Sequence, residues 1–595
     1  MSIKSPLGRQ LGTQFDSVFD VVKSNPLYDK GGGKIPSLDL NFAKSKSLRD
    51  SRSTKKLITF SRASSGTYVD SDGFIKISPV NLIKYSQKYD QQWTTDSTGT
   101  ITINNTEAPD GTTTANRFVE SNGNTSHAIR QTLTTSGTYT VSTYFKELSG
   151  SAKRYGVIRI HGVGATAPIA FFDLGNGTVT STGGTNIIST NIVNVGNGWF
   201  RCSMTANEPI LSGDGIQLGV TDSSNSFGSY SGDGTSGILI WGAQLEEGTT
   251  ATDYIPTGST ISGAPRFDHD FDTRESLGLL VEASRTNTVI NSNTVSGSSL
   301  GTPILNSTET VVSPRGISET VRRLGRDVPA GGAQIWRVGS TSGGNNNTTY
   351  TISFYAKTVN GGTTSINIDI NDTAPTTGQA SEITGEWTRI VKTGGVRPNG
   401  FRFFDMNMVT ATEEFYVWGA QIEVGDFATS YIPTSDSAVT RSSDIAKIEG
   451  SNLTSWYSET ESELTLFCDC TVIGGDGIAY MLSDGSNERF ALHPDSAFGS
   501  DYYIRSGGSF MVLLSNIPGL PKRFTTALGY KPGSTVEVLD GVLGGEFNTT
   551  TVTPTGIDRL MIGNSNGFYV LTGYISRLAY YPTRLPNDKL ISITI

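Results

Sequence analysis

The side chains whose chemistry is easiest to place in this sequence are its aromatic residues. A flat ring offers a surface to the C–H face of a sugar, and nearby amides and carboxylates then take the sugar's hydroxyls. A duplication sorts these residues. Ile240-Trp241-Gly242-Ala243-Gln244-Leu245-Glu246 returns as Val417-Trp418-Gly419-Ala420-Gln421-Ile422-Glu423, and Tyr254-Ile255-Pro256-Thr257 returns as Tyr431-Ile432-Pro433-Thr434. The interval from Trp to Tyr is 13 positions in each copy (254−241 and 431−418). Residues present in both copies have a shared fold to maintain. Trp199 with Trp387 and Trp241 with Trp418 are therefore expected in the core, and Gln244 and Gln421 are expected to satisfy backbone groups. Trp93, Trp336, Phe227 and Tyr230 belong to one copy each. Free of that duty, they are the glycan-binding candidates, the better choices for an exposed platform, with a structural role for each as the other reading.

Other chemistry finds less support. The four histidines, His127, His161, His269 and His493, fall in different parts of the chain without the spacing of a Ser-His-Asp or zinc site. Asp268, Asp270 and Asp272 open like a calcium loop, but Thr273 stands where the turn needs Gly and Leu279 where the bidentate Glu belongs. Gly213-Asp214-Gly215 and Gly232-Asp233-Gly234 read as β-turns. Hence no catalytic residue, no metal site and no cofactor is expected. A glycan hydrolase is the weakest alternative, since carboxylate pairing in space is invisible in a sequence. The formal net charge of −9 disfavours nucleic acid, whose phosphates want clustered Lys and Arg.

The elements that must position these residues are strands. Tyr139-Thr140-Val141-Ser142-Thr143-Tyr144-Phe145-Lys146 matches Tyr350-Thr351-Ile352-Ser353-Phe354-Tyr355-Ala356-Lys357. Thr114-Ala115-Asn116-Arg117-Phe118 matches Thr320-Val321-Arg322-Arg323-Leu324, and Trp199-Phe200-Arg201 matches Trp387-Thr388-Arg389. All alternate apolar and polar residues, the period of a half-buried strand. Such a unit is too long for a solenoid repeat, so each copy is expected to be a whole β-sandwich. From Tyr139 to Pro256 is 117 positions, but from Tyr350 to Pro433 only 83, so the first copy carries 34 extra residues, expected between strands. Beyond the second copy, Ser462-Glu463-Leu464-Thr465-Leu466-Phe467-Cys468 alternates like an opening strand, and Asp540-Gly541 marks a hairpin. The loops expected around Asp476-Gly477 and Ser483–Asn487 give this last region a binding surface that competes with the aromatic platform. Cys202, Cys468 and Cys470 cannot make a disulfide framework and are expected as buried thiols.

The N-terminal segment differs in kind. Residues 1–60 hold 11 Lys/Arg against 5 Asp/Glu, a net of +6 that leaves −15 for the remainder. Leu11, Phe15, Val18, Phe19 and Val22 form a helical stripe, with Thr13 and Asp16 at its start and Asn25-Pro26 as its stop. A lone helix of this length is marginal in water, so the stripe needs a surface, either its own first domain or a partner assembly. Gly31-Gly32-Gly33, which separates it from the rest of the chain, favours the partner. The segment has no signal-peptide core, and no stretch reaches the roughly 20 apolar residues of a membrane span. Synthesis in a cytoplasm is expected.

Several phrases carry a family resemblance. They are Leu38-Asp39-Leu40-Asn41-Phe42-Ala43; Phe60-Ser61-Arg62-Ala63-Ser64-Ser65-Gly66-Thr67-Tyr68-Val69-Asp70; Ala264-Pro265-Arg266-Phe267-Asp268; Leu277-Gly278-Leu279-Leu280-Val281-Glu282-Ala283-Ser284-Arg285-Thr286-Asn287; and Ala438-Val439-Thr440-Arg441-Ser442-Ser443-Asp444-Ile445-Ala446. With the Trp-Gly-Ala-Gln repeats, they resemble virion structural proteins of tailed bacteriophages, the tail fibres, head fibres and related appendages. The resemblance implies an all-β, multidomain chain: two jelly-roll modules similar to carbohydrate-binding modules, then a concanavalin/laminin-G-like sandwich. On that reading residues 1–50 attach to the virion through a short helical anchor, 51–80 form a hairpin linker, 81–258 the first module, 259–286 a linker, 287–435 the second module and 436–595 the last sandwich. The implied role is a non-enzymatic appendage in the virion, bound to other virion proteins through its N-terminus and to host surface polysaccharide through its sandwiches. It is expected as a homo-oligomer, a trimer, on the particle. A capsid decoration, collar or tail protein that binds only virion neighbours is the alternative.

Overall fold

The structure, a computed structural model, describes all residues except 1–25, 96–98, 162–166, 302–303, 327–333, 340–347, 371–378, 395–402, 409–412, 496–498, 516–521 and 548–552. The stripe of Leu11, Phe15, Val18, Phe19 and Val22 thus lies outside the described residues. The chain is all-β and multidomain. It divides into two compact units, Ser61–Ser65 with Ser78–Ala264, and Met1–Phe60 with Gly66–Ile77 and Pro265–Ile595. Among the described residues no helix is long and apolar enough to cross a membrane.

The first unit is a sandwich of two six-stranded sheets. One runs in the order Thr178–Gly183, Ile169–Asp173, Tyr155–His161, Gly215–Thr221, His127–Thr132 and Thr94–Thr95. The other runs Ile187–Gly196, Trp199–Asn207, Thr138–Glu147, Gly237–Glu247, Ala115–Val119 and Thr100–Thr106. Ile129, Ile158, Phe172 and Leu218 from one sheet meet Val141, Phe145, Met204 and Ile240 from the other to close the core. The second copy repeats this plan with five strands in each sheet among its described residues. The lengths explain the difference. Lys146 to Trp199 is 53 positions and Lys357 to Trp387 only 30, so 23 of the 34 extra residues precede the Trp. Two strands lie between Thr138–Glu147 and Trp199 that have no described counterpart, one more in each sheet. The expectation that the insertion lies between strands is corrected for this part: it is mostly strand. The remaining 11 fall before Trp241, in the region of the loop that carries Phe227 and Tyr230.

The last sandwich recruits chain from far away. One sheet has the order Arg266–His269, Ser276–Val281, Thr572–Tyr581, Leu464–Gly474, Lys522–Lys531, Ser534–Leu539 and Val542–Phe547, and Leu38–Leu40 also pairs with Thr572–Tyr581. The facing sheet runs Thr59–Ser61, Ile445–Glu449, Arg559–Ile562, Tyr480–Ser483, Arg489–Asp495, Gly499–Ser506 and Ser509–Ser515. Leu38, Leu40, Phe42, Leu48, Leu57, Ile58 and Phe60 share one core with Leu466, Tyr480 and Leu578. Segments read in the sequence as attachment arm and linkers therefore supply strands to this domain. Their short apolar phrases, Leu-Asp-Leu and Gly-Leu-Leu-Val, are strand interiors with partners hundreds of residues away. Cys468 and Cys470 are buried in the same core, and Cys202 in that of the first module.

The family-like phrases of the second unit converge on one buried ion network. Arg266, fully buried, donates to Glu282 at 2.7 Å, to Asp444 at 2.6 Å, to Ser430 Oγ at 2.8 Å and to the Thr67 carbonyl at 3.0 Å. Arg441 Nε lies 3.4 Å from Glu282, whose two oxygens also accept from Ser430 N and Oγ at 2.7 Å each. Burial opposes ionisation of Glu282, yet Arg441 and Arg266 hold its carboxyl at about 2. Asp268 next to them accepts from Val69 N and His269 N at 2.5 and 3.0 Å, and burial pushes its carboxyl up to about 7. These phrases meet in a buried charge network, in which loss of one partner strands the others.

Candidate functional site

The duplicated motif is a lock. Along Gly237–Glu247, Ile238 and Ile240 face the main core while Leu239 and Trp241 face the other side. The ladder to Thr138–Glu147 then slips by one residue at Gly242, which holds φ +65°; Gly419 does the same at φ +69°. A side chain there would strain the backbone and stand 3.0 Å or 3.2 Å from the Tyr144 or Tyr355 ring. Past the bulge, Gln244 Oε1 accepts the Ile255 N–H at 2.8 Å and Gln421 Oε1 the Ile432 N–H at 2.7 Å, which ties the two halves of each motif together. Trp241 lies 4.5 Å from Tyr254 and Trp418 lies 4.7 Å from Tyr431, ring to ring. Trp199, Trp241 and Trp418 are buried, and Trp387 is half-buried against the same cluster as Trp418. The Gln and Trp residues thus serve the fold as expected.

Sequence reading missed the other half of the lock. Asn81 Nδ2 donates to the carbonyls of Ala243 and Ile255 at 3.0 and 2.8 Å, and its Oδ1 accepts from Ile83 N and Leu245 N at 3.0 and 3.2 Å. Asn287 makes the same four bonds to Ala420, Ile432, Val289 and Ile422. Ser86 and Ser292 each meet their Tyr hydroxyl, Tyr254 or Tyr431, at 2.6 Å. The signal was present: the interval from Asn to Ser is five positions in both copies (86−81 and 292−287).

Of the four single-copy aromatics, two are corrected. Trp93 is 8% exposed and packs on Tyr89 with its Nε1 donating to the Tyr85 carbonyl at 3.2 Å. Trp336 is 3% exposed within the second module's core, beneath the Arg322 guanidinium. Neither offers a face to a ligand, because each module uses its own large ring to fill its own core. Tyr230 is half-buried and tied down: its hydroxyl donates to Glu120 at 2.5 Å and its ring lies edge-on to His127 at 4.7 Å. Glu120 also takes two bonds from Arg154, so Tyr230 belongs to a clamp. Phe227 is half-buried and lies over the outer face of a sheet, where a Cβ on Gly219 would stand 2.7 Å from its ring.

Among the described residues, the most accessible aromatic pair lies in the last sandwich. Ser565-Asn566-Gly567-Phe568 forms a tight turn closed by Ser565 N to Phe568 O at 2.7 Å and the reciprocal bond at 3.0 Å. Asn566 and Gly567 hold φ +53° and +87°, the Asn-Gly solution for such a turn. Tyr569 follows at φ +44°, an uncommon value for a bulky residue, and its carbonyl accepts the Ile478 N–H at 2.9 Å. Phe568 is 73% exposed and Tyr569 56%. On the outer sheet face behind them, His493 lies 5.8 Å from the Tyr569 ring and 5.9 Å from the Tyr503 ring, and its Nε2 pairs with the exposed Asp476 carboxylate. Further along those strands, Arg489 and Arg505 stand in register on the same face. The face floor is held by Met481, Ala491 and Met561, a small buried cluster under the turn. The result is an exposed aromatic ledge beside a carboxylate–imidazole pair and two guanidinium groups. Such a surface can stack a sugar ring and bond its hydroxyls. Among the described residues no group of three or more His, Cys, Asp or Glu side chains could hold a metal ion.

No family model matches the chain, and no curated protein matches it. Among solved structures, it is similar to the N-terminal CBM22 tandem domain of Paenibacillus barcinonensis Xyn10C at 14% identity, over 58% of this chain and 98% of that one, with a TM-score of 0.22. The CBM40 of the Ruminococcus gnavus IT-sialidase matches over 23% of this chain and 85% of its own at 18% identity, TM-score 0.21. The enzymatically active domain of bacteriophage CBA120 tailspike protein 4 matches over 23% and 21% at 17% identity, TM-score 0.18.

Proposed function

We propose that the chain is an appendage component of a tailed-phage particle, a tail fibre or similar, that recognises host cell-surface glycan through its last sandwich. The observation that carries the reading is the pair Phe568 and Tyr569, exposed beside Asp476 and His493, with Tyr569 itself held at positive φ. Strain of this kind persists where the surrounding structure imposes it, and adjacent exposed rings are the kind of apolar surface that marks a binding site. The phrases resembling phage virion proteins supply the setting. In this reading the site binds and releases without catalysis, residues 1–25 engage virion neighbours, and several copies on one particle give avidity from weak single sites. The test is adsorption. Purified full chain should block attachment of the parent particle to its host, and the Phe568→Ala/Tyr569→Ala chain, still folded, should not. Equal blocking by both chains would remove the ledge from host recognition and leave the chain as a decoration or collar protein.

A further inference from the structure

The two modules share a fold but differ in charge along one row of one sheet. In the first module Thr94, Arg130, Gln217 and Arg159 stand in register across four strands on the outer face, opposite to core residues Ile129, Ile158 and Leu218. Arg130 and Arg159 are half-buried, and Arg159 Nη1 donates to Gln217 Oε1 at 3.3 Å. Arg130 Nη1 donates to His161, whose Nδ1 lies at 3.0 Å; His161 stands on the same face one row along. In the second module the matching row is Ser298, Arg337, Asp405 and Asp369. An Arg–Gln–Arg row in one copy is therefore an Arg–Asp–Asp row in the other, with two acidic residue types where the first has an amide and a second guanidinium.

We infer that this row of the first module is a second glycan site, specific for sugars that carry a carboxylate. Arg130 and Arg159 flank Gln217, which places their Cα atoms roughly 10 Å apart, about two strand spacings. That distance suits one sugar ring whose carboxylate meets a guanidinium fork, while Gln217, buried between the two arginines, holds Arg159 in place. Phe227, laid over Gly219 two residues along the same strand face, gives the row an apolar wall. The module as a whole argues for a small acidic sugar over a nucleic acid: residues 78–264 hold 9 Lys/Arg against 14 Asp/Glu, a net of −5. A polyanion held along its length would meet that charge, whereas a single carboxylate meets only the row.

This rests on the glycan reading given above but on a different module, and the two can fail separately. The full chain is run in affinity electrophoresis through gels containing polygalacturonate, hyaluronate or polysialic acid, with methyl-esterified polygalacturonate as the neutral counterpart. At least one carboxylated polymer should retard the chain and the esterified one should not. Arg130→Gln and Arg159→Gln should each weaken that retardation about tenfold or more, while Phe568→Ala/Tyr569→Ala retains it. Arg159→Lys, which keeps charge and fold but loses the planar fork, should fall between. Absence of retardation by all three polymers, equal retardation by the esterified polymer, or variants that behave as wild type would each overturn the inference. So would loss of retardation in the Phe568/Tyr569 variant instead of the Arg variants, or equally tight Arg-dependent binding of single-stranded DNA.

Discussion

Asn287→Ala isolates the lock from the rest of the second module. The side chain is fully buried and makes four hydrogen bonds, two as donor to the Ala420 and Ile432 carbonyls and two as acceptor from the Val289 and Ile422 N–H groups. Alanine leaves two buried donors without an acceptor and takes a partner from two carbonyls. A stranded buried polar group costs about 1–3 kcal/mol, so the two donors alone amount to about 2–6 kcal/mol. Whole-domain stability is about 5–15 kcal/mol, and at about 2–4 °C per kcal/mol the module should melt about 4–24 °C lower. Differential scanning calorimetry of the full chain reads this as movement of one transition. Asn81→Ala should move a different transition by a similar amount, because its bonds to Ala243, Ile255, Ile83 and Leu245 lie in the first module. If Asn287→Ala melts within about 2 °C of wild type, the motif is not held by this residue and the reasoning fails.

The same packing sets other outcomes. Burial lifts the Asp268 carboxyl to about 7, so the folded chain keeps a proton that an unfolded chain releases above about pH 4. Its contribution to stability is complete below about pH 4 and is lost as pH rises through about 7; Glu282, held at about 2, contributes above about pH 4.5 and loses its share as pH falls. Asp268→Asn should therefore gain on wild type between pH 5 and pH 8 in thermal melts, and a parallel pair of pH profiles would contradict this. Deleting residues 1–25 should leave melting unchanged and abolish incorporation into particles, whereas deleting 1–50 removes Leu27, Leu38, Leu40, Phe42 and Leu48 from buried sites and should leave the last sandwich unfolded. Normal folding of the longer deletion would refute the role given to those strands. Trp93→Ala and Trp336→Ala should each cost about 3–5 kcal/mol, read by calorimetry, and a neutral result at either would return it to the surface.

The repeat made much of the fold legible, because a Trp, a Gln and a Tyr at equal spacing mark one unit used twice. Legibility stopped where pairing is non-local. Leu38–Leu40 lies beside Tyr580, Ala579 and Leu578, more than 500 residues away, and three residues carry too little pattern to name such a partner. The candidate site was half visible. Asn566-Gly567 is a hairpin signal in any sequence, and the loop at Asp476 reads as a binding surface from its residues alone. That Phe568 and Tyr569 stay exposed is decided by the turn and by the Ile478 bond, which only the fold supplies. The rule that single-copy aromatics are free for binding failed at Trp93 and Trp336. Each module packs its core with its own rings, so uniqueness between copies does not imply exposure.

The most direct measurement of the central claim is an isothermal titration of host surface oligosaccharide into the full chain, wild type against Phe568→Ala/Tyr569→Ala, with melting curves recorded on the same samples. Loss of two exposed rings should leave melting unchanged and weaken binding about tenfold or more, equivalent to about 1.4 kcal/mol. Equal affinity in the two chains, with both folded, would contradict the assignment of glycan recognition to the ledge formed by Phe568 and Tyr569.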